Sequence, residues 1–320
     1  MSALARAARR SHPALTVLAA AALVVVVPPA GERAAGEHPE SAPALQMVAL
    51  GDSYSSGEGN PPFDSGTSEL ENACHRSARA WPRLLGVSPT RHLACSRVGV
   101  DALLEPQAMS GPDAAAQLAR LRGIAAVERV DVVTLSVGGN DVGFGPILAL
   151  CVAQVTGDCL RDSTATRAKV ATLVAELRDV VLPDTRASAP GARVVLVGYP
   201  ALFPRHYRDV HGCTWLRRPE HAAVLALQAE LNAGQRATAR AAGVDFVDTT
   251  TALAGHELCS GDPWYRPVVL TCGVPRLLLE AASFCAHPWE QGHRHGQRAI
   301  ADRVARRLAR LLPGSGFAAT

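Results

Sequence analysis

A chain of 320 residues, 48% of them hydrophobic, is long enough to bury a sizeable core in one large domain or two small ones. A formal net charge of +3 argues against a nucleic-acid surface at this length, and no dense Lys/Arg run follows the amino terminus. In chain order, the first segment reads as a secretory signal. Arg6, Arg9 and Arg10 precede an apolar run from Ala14 to Val27, and small residues suited to cleavage follow in "PPAGERAAG". The run is shorter than the about 20 residues that a spanning helix needs. Residues 1–35 are therefore expected to hold the signal peptide and the start of a spacer. The rest of the spacer is 36–45, one domain spans 46–313, and 314–320 is a tail. A secreted protein without a stable membrane span after signal removal is the expectation.

The first strand, Met47 to Leu50, breaks at Gly51-Asp52-Ser53. Gly, Asp and Ser make turns after any strand. They also stand where open α/β sheets bind ligands, outside the carboxyl ends of their strands. Eight cysteines follow the signal: Cys74, Cys95, Cys151, Cys159, Cys213, Cys259, Cys272 and Cys285. In an exported chain they imply disulfides, and the absence of a CxxC pair argues against a zinc site. Sequence spacing alone does not choose among the pairings.

Further strands are expected at Asp131 to Val137 ("DVVTLSV"), Arg193 to Val197 ("RVVLV") and Val244 to Val247 ("VDFV"). Between them, Val170, Leu173, Leu177 and Val181 form one helical stripe, and Val224, Leu227 and Leu231 another, which Gly243 is placed to end. Ile300, Val304, Leu308 and Leu311 share a face of the last helix. Strands alternating with helices indicate a mostly parallel sheet covered on both sides, a three-layer α/β/α sandwich. Loops at roughly 200–219 and 255–290 are rich in Pro, Gly and aromatic residues and are expected to frame a site.

Two more segments carry chemistry. "SVGGNDVGFG" places Asn140 at the carboxyl end of a strand, where its amide is a donor and the neighbouring glycines admit a substrate. "HPWEQGHRHGQRAIA" places His287 just before the last helix. Acyl transfer needs a hydroxyl, an imidazole to take its proton, and donors for the oxyanion. Ser53, His287 and Asn140 supply those groups without a cofactor or metal. His293 and His295 lack the carboxylate cluster that would make a metal site with His287. Trp81, Trp215, Trp264 and Trp289 are expected to pack the core and loops rather than to form a sugar platform.

Together "GDSYSSGEG", "CHRSARAWPRLL", "LACS", "SVGGNDVGF" and "HPWEQGHRHGQRAIA" resemble the secreted actinobacterial branch of the SGNH (GDSL-type) hydrolases. The resemblance runs in order over nearly all of the chain from Met47. It implies a flavodoxin-like fold and metal-free ester hydrolysis, with Ser53 as nucleophile, His287 as general base, and Ser53, Arg97 and Asn140 at the oxyanion hole. It also implies the bridges Cys74–Cys95, Cys151–Cys159 and Cys213–Cys259, which leaves Cys272 and Cys285 as the fourth pair.

The chain departs from the family twice. Relatives usually carry "CSGAT" where this chain has "CSRVG", so Arg97 stands where a glycine donates its backbone N–H, with Gly99 two residues later. Many relatives have an acid three residues before the histidine, and here that residue is Phe284. A carbonyl of Ser283 or Phe284 is then the expected acceptor for the ring N–H, giving a dyad. With no buried negative charge nearby, the imidazole is expected to titrate near its ordinary value of about 6.5. The resulting expectation is a monomeric secreted serine esterase or lipase acting on a small-molecule or lipid ester. A deacetylase or acyltransferase on glycans or lipids, or a non-catalytic binding protein on the same fold, are the alternatives.

Overall fold

The computed structural model describes residues 45–69, 72–106, 116–153, 163–266 and 286–313. The expected signal peptide, the spacer up to residue 44, the tail, Cys159, Cys272, Ser283, Phe284 and Cys285 lie outside the described residues, as does Glu280, an acid seven residues before His287. In order the elements are β1 (Met47–Gly51), α1 (Ser53–Ser56), α2 (Trp81–Leu84), α3 (Asp101–Leu104), α4 (Gln117–Val127), β2 (Val132–Ser136) and α5 (Phe144–Ala153). There follow α6 (Ser163–Glu176), a π turn (Leu177–Val181), α7 (Leu182–Ser188), β3 (Arg193–Val197), α8 (Arg218–Ala241), β4 (Asp245–Val247), β5 (Glu290–Gln291), β6 (Arg294–His295) and α9 (Gly296–Leu311).

β1 to β4 form one parallel sheet in that spatial order, with Gly51 opposite Ser136 and Leu135 opposite Leu196. The three strands inferred after the first appear within a residue of their expected bounds. They were legible because a strand covered on both faces is an unbroken apolar run. Val48, Leu50, Val133, Leu135, Val195 and Leu196 are all fully buried.

The outer edge of β1 carries an element the sequence does not announce. His92 bridges Ala49 in parallel, and Leu93 and Cys95 donate their N–H groups to the carbonyls of Ala49 and Gly51. The chain thus leaves β1 toward one side, returns through 92–95, and crosses to β2 on the other. α2 packs on α9, while α4 packs on α7 and α6 on α8, as right-handed crossovers require when the direction of winding reverses. The reversal lies between β1 and β2, so the crevice expected of this topology opens beyond Gly51 and Ser136.

The stripe Val170, Leu173, Leu177 and Val181 is buried, but the helix carrying it is not regular. Leu182 donates to Leu177, five residues back, in a π turn just before Pro183. The proline ring would collide with the carbonyl four residues earlier in an unbroken α-helix, and the wider turn relieves that contact. After α8, Gly243 adopts φ +64° and ends the helix as expected.

Cys74–Cys95 and Cys213–Cys259 are disulfides. Cys151 is also disulfide-bonded, to a partner outside the described residues. Closing loops of 21 and 46 residues, the two described bridges stabilise the fold by about 3–4 kcal/mol each in the chain-entropy picture. Among the described residues no helix is long and apolar enough to cross a membrane.

Candidate active site

β1 ends where a side chain cannot fit. Gly51 has φ +135°, and a Cβ there would lie 2.3 Å from the carbonyl oxygen of Ser136. The amide of Gln117 pairs with both backbone groups of Gly51 at 2.8 Å, so the turn is held inside the protein. Asp52 then caps α1, accepting the N–H of Tyr54 on Oδ1 at 3.0 Å. Ser53 is the first residue of that helix and half-buried. Among the described residues its side chain makes no hydrogen bond, and neither does its N–H.

Asn140 and Arg97 flank the same turn. Asn140 follows β2 and donates one amide proton to the carbonyl of Val98 at 2.8 Å, leaving the other free to point elsewhere. Arg97 lies between Cys95, bonded to Gly51, and Val98, bonded to Asn140. Its φ is +68°. That conformation costs an L-residue roughly 1–2 kcal/mol and costs glycine little, which gives a backbone reason for the glycine expected here. The N–H of Arg97 donates to nothing among the described residues. A Cβ at Gly99 would meet Oδ1 of Asp141 at 2.5 Å, so that carboxylate would have to move.

One tyrosine that the sequence reading passed over ties the two turns together. The hydroxyl of Tyr199, just beyond β3, donates to Oδ2 of Asp52 at 2.5 Å and accepts the N–H of Gly139 at 2.9 Å. Asn232 on α8 holds the backbone N–H and C=O of Tyr199 at 2.9 and 2.8 Å. Asp52, the residue before the candidate nucleophile, and Gly139, the residue before Asn140, are thereby fixed against each other. The only sequence signal was a tyrosine at a strand's carboxyl end.

His287 arrives from the far end of the chain. Its ring sits 5.2 Å from that of Tyr54, whose hydroxyl donates to the carbonyl of Ala286 at 3.1 Å. Tyr265 bridges Pro288, and the N–H of Arg266 donates to the carbonyl of His287 at 2.9 Å, so part of the 255–290 loop does frame the site. His287 is 8% exposed, and its buried Nδ1 has no hydrogen-bond partner among the described residues. Glu290 is committed elsewhere, accepting the N–H of Arg298 at 2.9 Å and Nδ1 of His295 at 3.3 Å. His293 faces Asp262 at 3.6 Å.

Burial sets the electrostatics. It pushes the His287 imidazole down to about 4, against the opposing charge of Glu58 and with help from Arg266 and His75. The expectation of an ordinary imidazole is thus corrected, and so is that of no buried negative charge nearby. Glu58 is buried, accepts Nδ1 of His75 at 2.6 Å and the hydroxyl of Ser96, and is joined to Ser53 by its own N–H on the Ser53 carbonyl at 3.1 Å. Burial raises its carboxyl, but His75's hydrogen bond and charge, with the charge of His287, hold it below the ordinary value. Asp52 is raised to about 7 by burial, despite the hydrogen bonds from Tyr199 and Tyr54.

A flavodoxin-like sheet that presents a serine at a helix start, beside an amide and a distant histidine, defines the class of α/β serine hydrolases. Residues 49–295 match the GDSL-like lipase/acylhydrolase family, and the chain belongs to it. It is 36% identical over 239 residues to a lipase of Streptomyces rimosus, covering 72% of this chain and 80% of that protein. It is 34% identical over 233 residues to Lipase 1 of Streptomyces coelicolor, with 72% and 78% covered. The crystal structure of the extracellular Streptomyces rimosus lipase superposes with TM-score 0.56 at 29% identity, covering 80% of this chain and 98% of that one. Phospholipase A1 of Streptomyces albidoflavus gives TM-score 0.52 at 28% identity, with 80% and 95% covered. The protein is a lipase or acylhydrolase, a serine ester hydrolase.

Proposed function

We propose that this chain is a secreted hydrolase of lipid carboxylic esters, working through an acyl-enzyme on Ser53 with His287 as its base. The observation that carries the reading is the placement of Ser53 at the switch point between β1 and β2, with the Asn140 turn tied to it through Tyr199. The sequence of the first residues, the disulfides and the extracellular relative support secretion.

In this mechanism the neutral imidazole of His287 removes the proton of Ser53 Oγ as that oxygen attacks the ester carbonyl. The carbonyl oxygen becomes an oxyanion and takes the N–H groups of Ser53 and Arg97 and the free amide proton of Asn140. Collapse expels the alcohol, which receives the proton from His287, and leaves an ester on Ser53. Water then repeats the sequence on the acyl group, freeing the acid. Burial keeps the imidazole neutral and ready to accept a proton at neutral pH, while the negative charge of Glu58 favours the imidazolium that forms.

A series of p-nitrophenyl esters from acetate to palmitate, followed spectrophotometrically, tests the substrate class; no turnover of any chain length would overturn it. Asn140→Ala is expected to lower kcat by about 10²–10³-fold with KM little changed, because its donor is needed once the oxyanion forms. A loss confined to KM would remove Asn140 from the oxyanion hole.

A further inference from the structure

We infer that Asn60 is a positioning residue that locks the His287 loop onto the nucleophile loop, and so sets the distance and angle between base and serine. The inference rests on the assignment of Ser53 and His287 proposed above.

Asn60 is 1% exposed and lies at the end of the turn that carries Ser53. Its amide nitrogen faces three carbonyls: Gly57 at 3.3 Å and Glu58 at 3.1 Å on its own loop, and Pro288 at 2.9 Å on the other. Its amide oxygen accepts the N–H of Glu290 at 2.7 Å. One buried side chain thus grips the two residues that bracket Trp289, directly after His287, and holds them to the loop beginning at Ser53. The backbone of Asn60 is itself fixed, its N–H on the carbonyl of Gly57 at 3.1 Å and its carbonyl under the hydroxyl of Ser77.

The same join is reinforced from two sides. Arg266 donates its N–H to the carbonyl of His287 at 2.9 Å and a guanidinium proton to the carbonyl of Gly59 at 2.8 Å. Gln297 on α9 places a second amide on the carbonyl of Pro288 at 3.0 Å. In a triad, the acid orients the imidazole through its ring nitrogen. Here Nδ1 of His287 has no partner among the described residues, whereas the backbone that carries the ring is held on both sides of it. That backbone is held to the nucleophile through Asn60. Displacing a base by about 1 Å costs on the order of 100-fold in rate, so the clamp acts on the chemical step rather than on ester binding.

The test uses the full secreted chain and Asn60→Ala and Asn60→Asp, with a soluble p-nitrophenyl ester. Active sites are counted by exhaustive labelling of Ser53 with a fluorophosphonate. Asn60→Ala is expected to lower kcat per labelled site by about 100-fold with KM within about twofold. Asn60→Asp keeps the acceptor for Glu290 but turns a carboxylate oxygen toward Pro288, where only the protonated acid can donate. Its activity relative to the parent is expected to rise between about pH 8 and about pH 5, a slope that a loss of packing alone would not produce. A kcat per site within about threefold of the parent for Asn60→Ala, whatever its melting temperature, would overturn the inference. Should Asn60→Ala not fold, a flat pH ratio for Asn60→Asp overturns it instead. Ser53→Ala is run alongside: turnover surviving there defeats the nucleophile assignment and not the role of Asn60.

Discussion

Ser53→Ala is expected to lower kcat for ester hydrolysis by about 10⁶-fold, the scale found when a serine hydrolase loses its nucleophile. The melting temperature should stay within about 2 °C of the parent, since a change of 1 kcal/mol moves it by only a few degrees in a chain of this size. The separation of the two effects follows from how the turn is built. The helix cap is made by Asp52, the backbone of Gly51 is held by Gln117, and Ser53 contributes no side-chain hydrogen bond of its own among the described residues. Removing the hydroxyl therefore deletes the proposed attacking atom and little else. Activity assays on short and long esters, with thermal unfolding followed by circular dichroism, measure both. Appreciable turnover by a folded Ser53→Ala protein would require another nucleophile.

His287→Ala is expected to cost about as much as Ser53→Ala, because a nucleophile and the base that activates it act as a unit. No carboxylate should approach that. Glu290→Gln keeps an acceptor for the α9 start and is expected to leave kcat within about threefold, whereas neutralising a true triad acid costs about 10⁴-fold. A loss of that larger size at Glu290 would mean an acid that the described geometry does not show. The pH profile is a second readout. The base must be neutral, and burial has lowered the His287 pKa to about 4, so kcat/KM should hold through pH 6 and fall only as pH drops through about 4. An acid limb at about 6.5 would show an imidazole open to water. Glu58→Gln removes a nearby negative charge that raises this pKa and should move the limb lower still. The same shift has a stability consequence of fixed sign. Between about 6.5 and about 4 the unfolded chain binds a proton at this histidine and the folded chain does not, so stability declines as pH falls through that window. His92, lowered by burial to about 3, adds in the same direction. Near-ultraviolet circular dichroism at each pH separates unfolding from titration.

Much of the fold is written locally. Strands β2 and β3 are mostly apolar because both faces of each are covered, interrupted by the buried Thr134 and Ser136 in β2 and by the exposed Arg193 that opens β3, and the stripes of α6, α8 and α9 repeat at the helical period because one face is. Ser53, Asn140 and His287 stand out for a related reason: each interrupts such a pattern at the end of a strand or the start of a helix. Arg97 is visible as a departure in a string of letters. That it occupies a left-handed backbone position is a property of the folded loop.

The segment 92–95 carries no alternating or extended apolar signature long enough to announce a strand. It lies against β1 only because the carbonyls of Ala49 and Gly51 are left open on that edge, and its presence there creates the switch point at Ser53. The contacts that set the site join residues far apart in the chain: Tyr199 to Asp52 across 147 positions, and Asn60 to Pro288 across 228. Neither an amide nor a phenol encodes its partner. Each finds one because a buried donor without an acceptor costs about 1–3 kcal/mol, a penalty that exists only once tertiary packing has excluded water. The candidate reacting groups were thus determined by the sequence, as chemistry displayed at the ends of locally encoded elements. Their mutual placement, and the depressed pKa of His287, were decided by the tertiary structure, because both depend on burial that no short stretch of chain possesses alone.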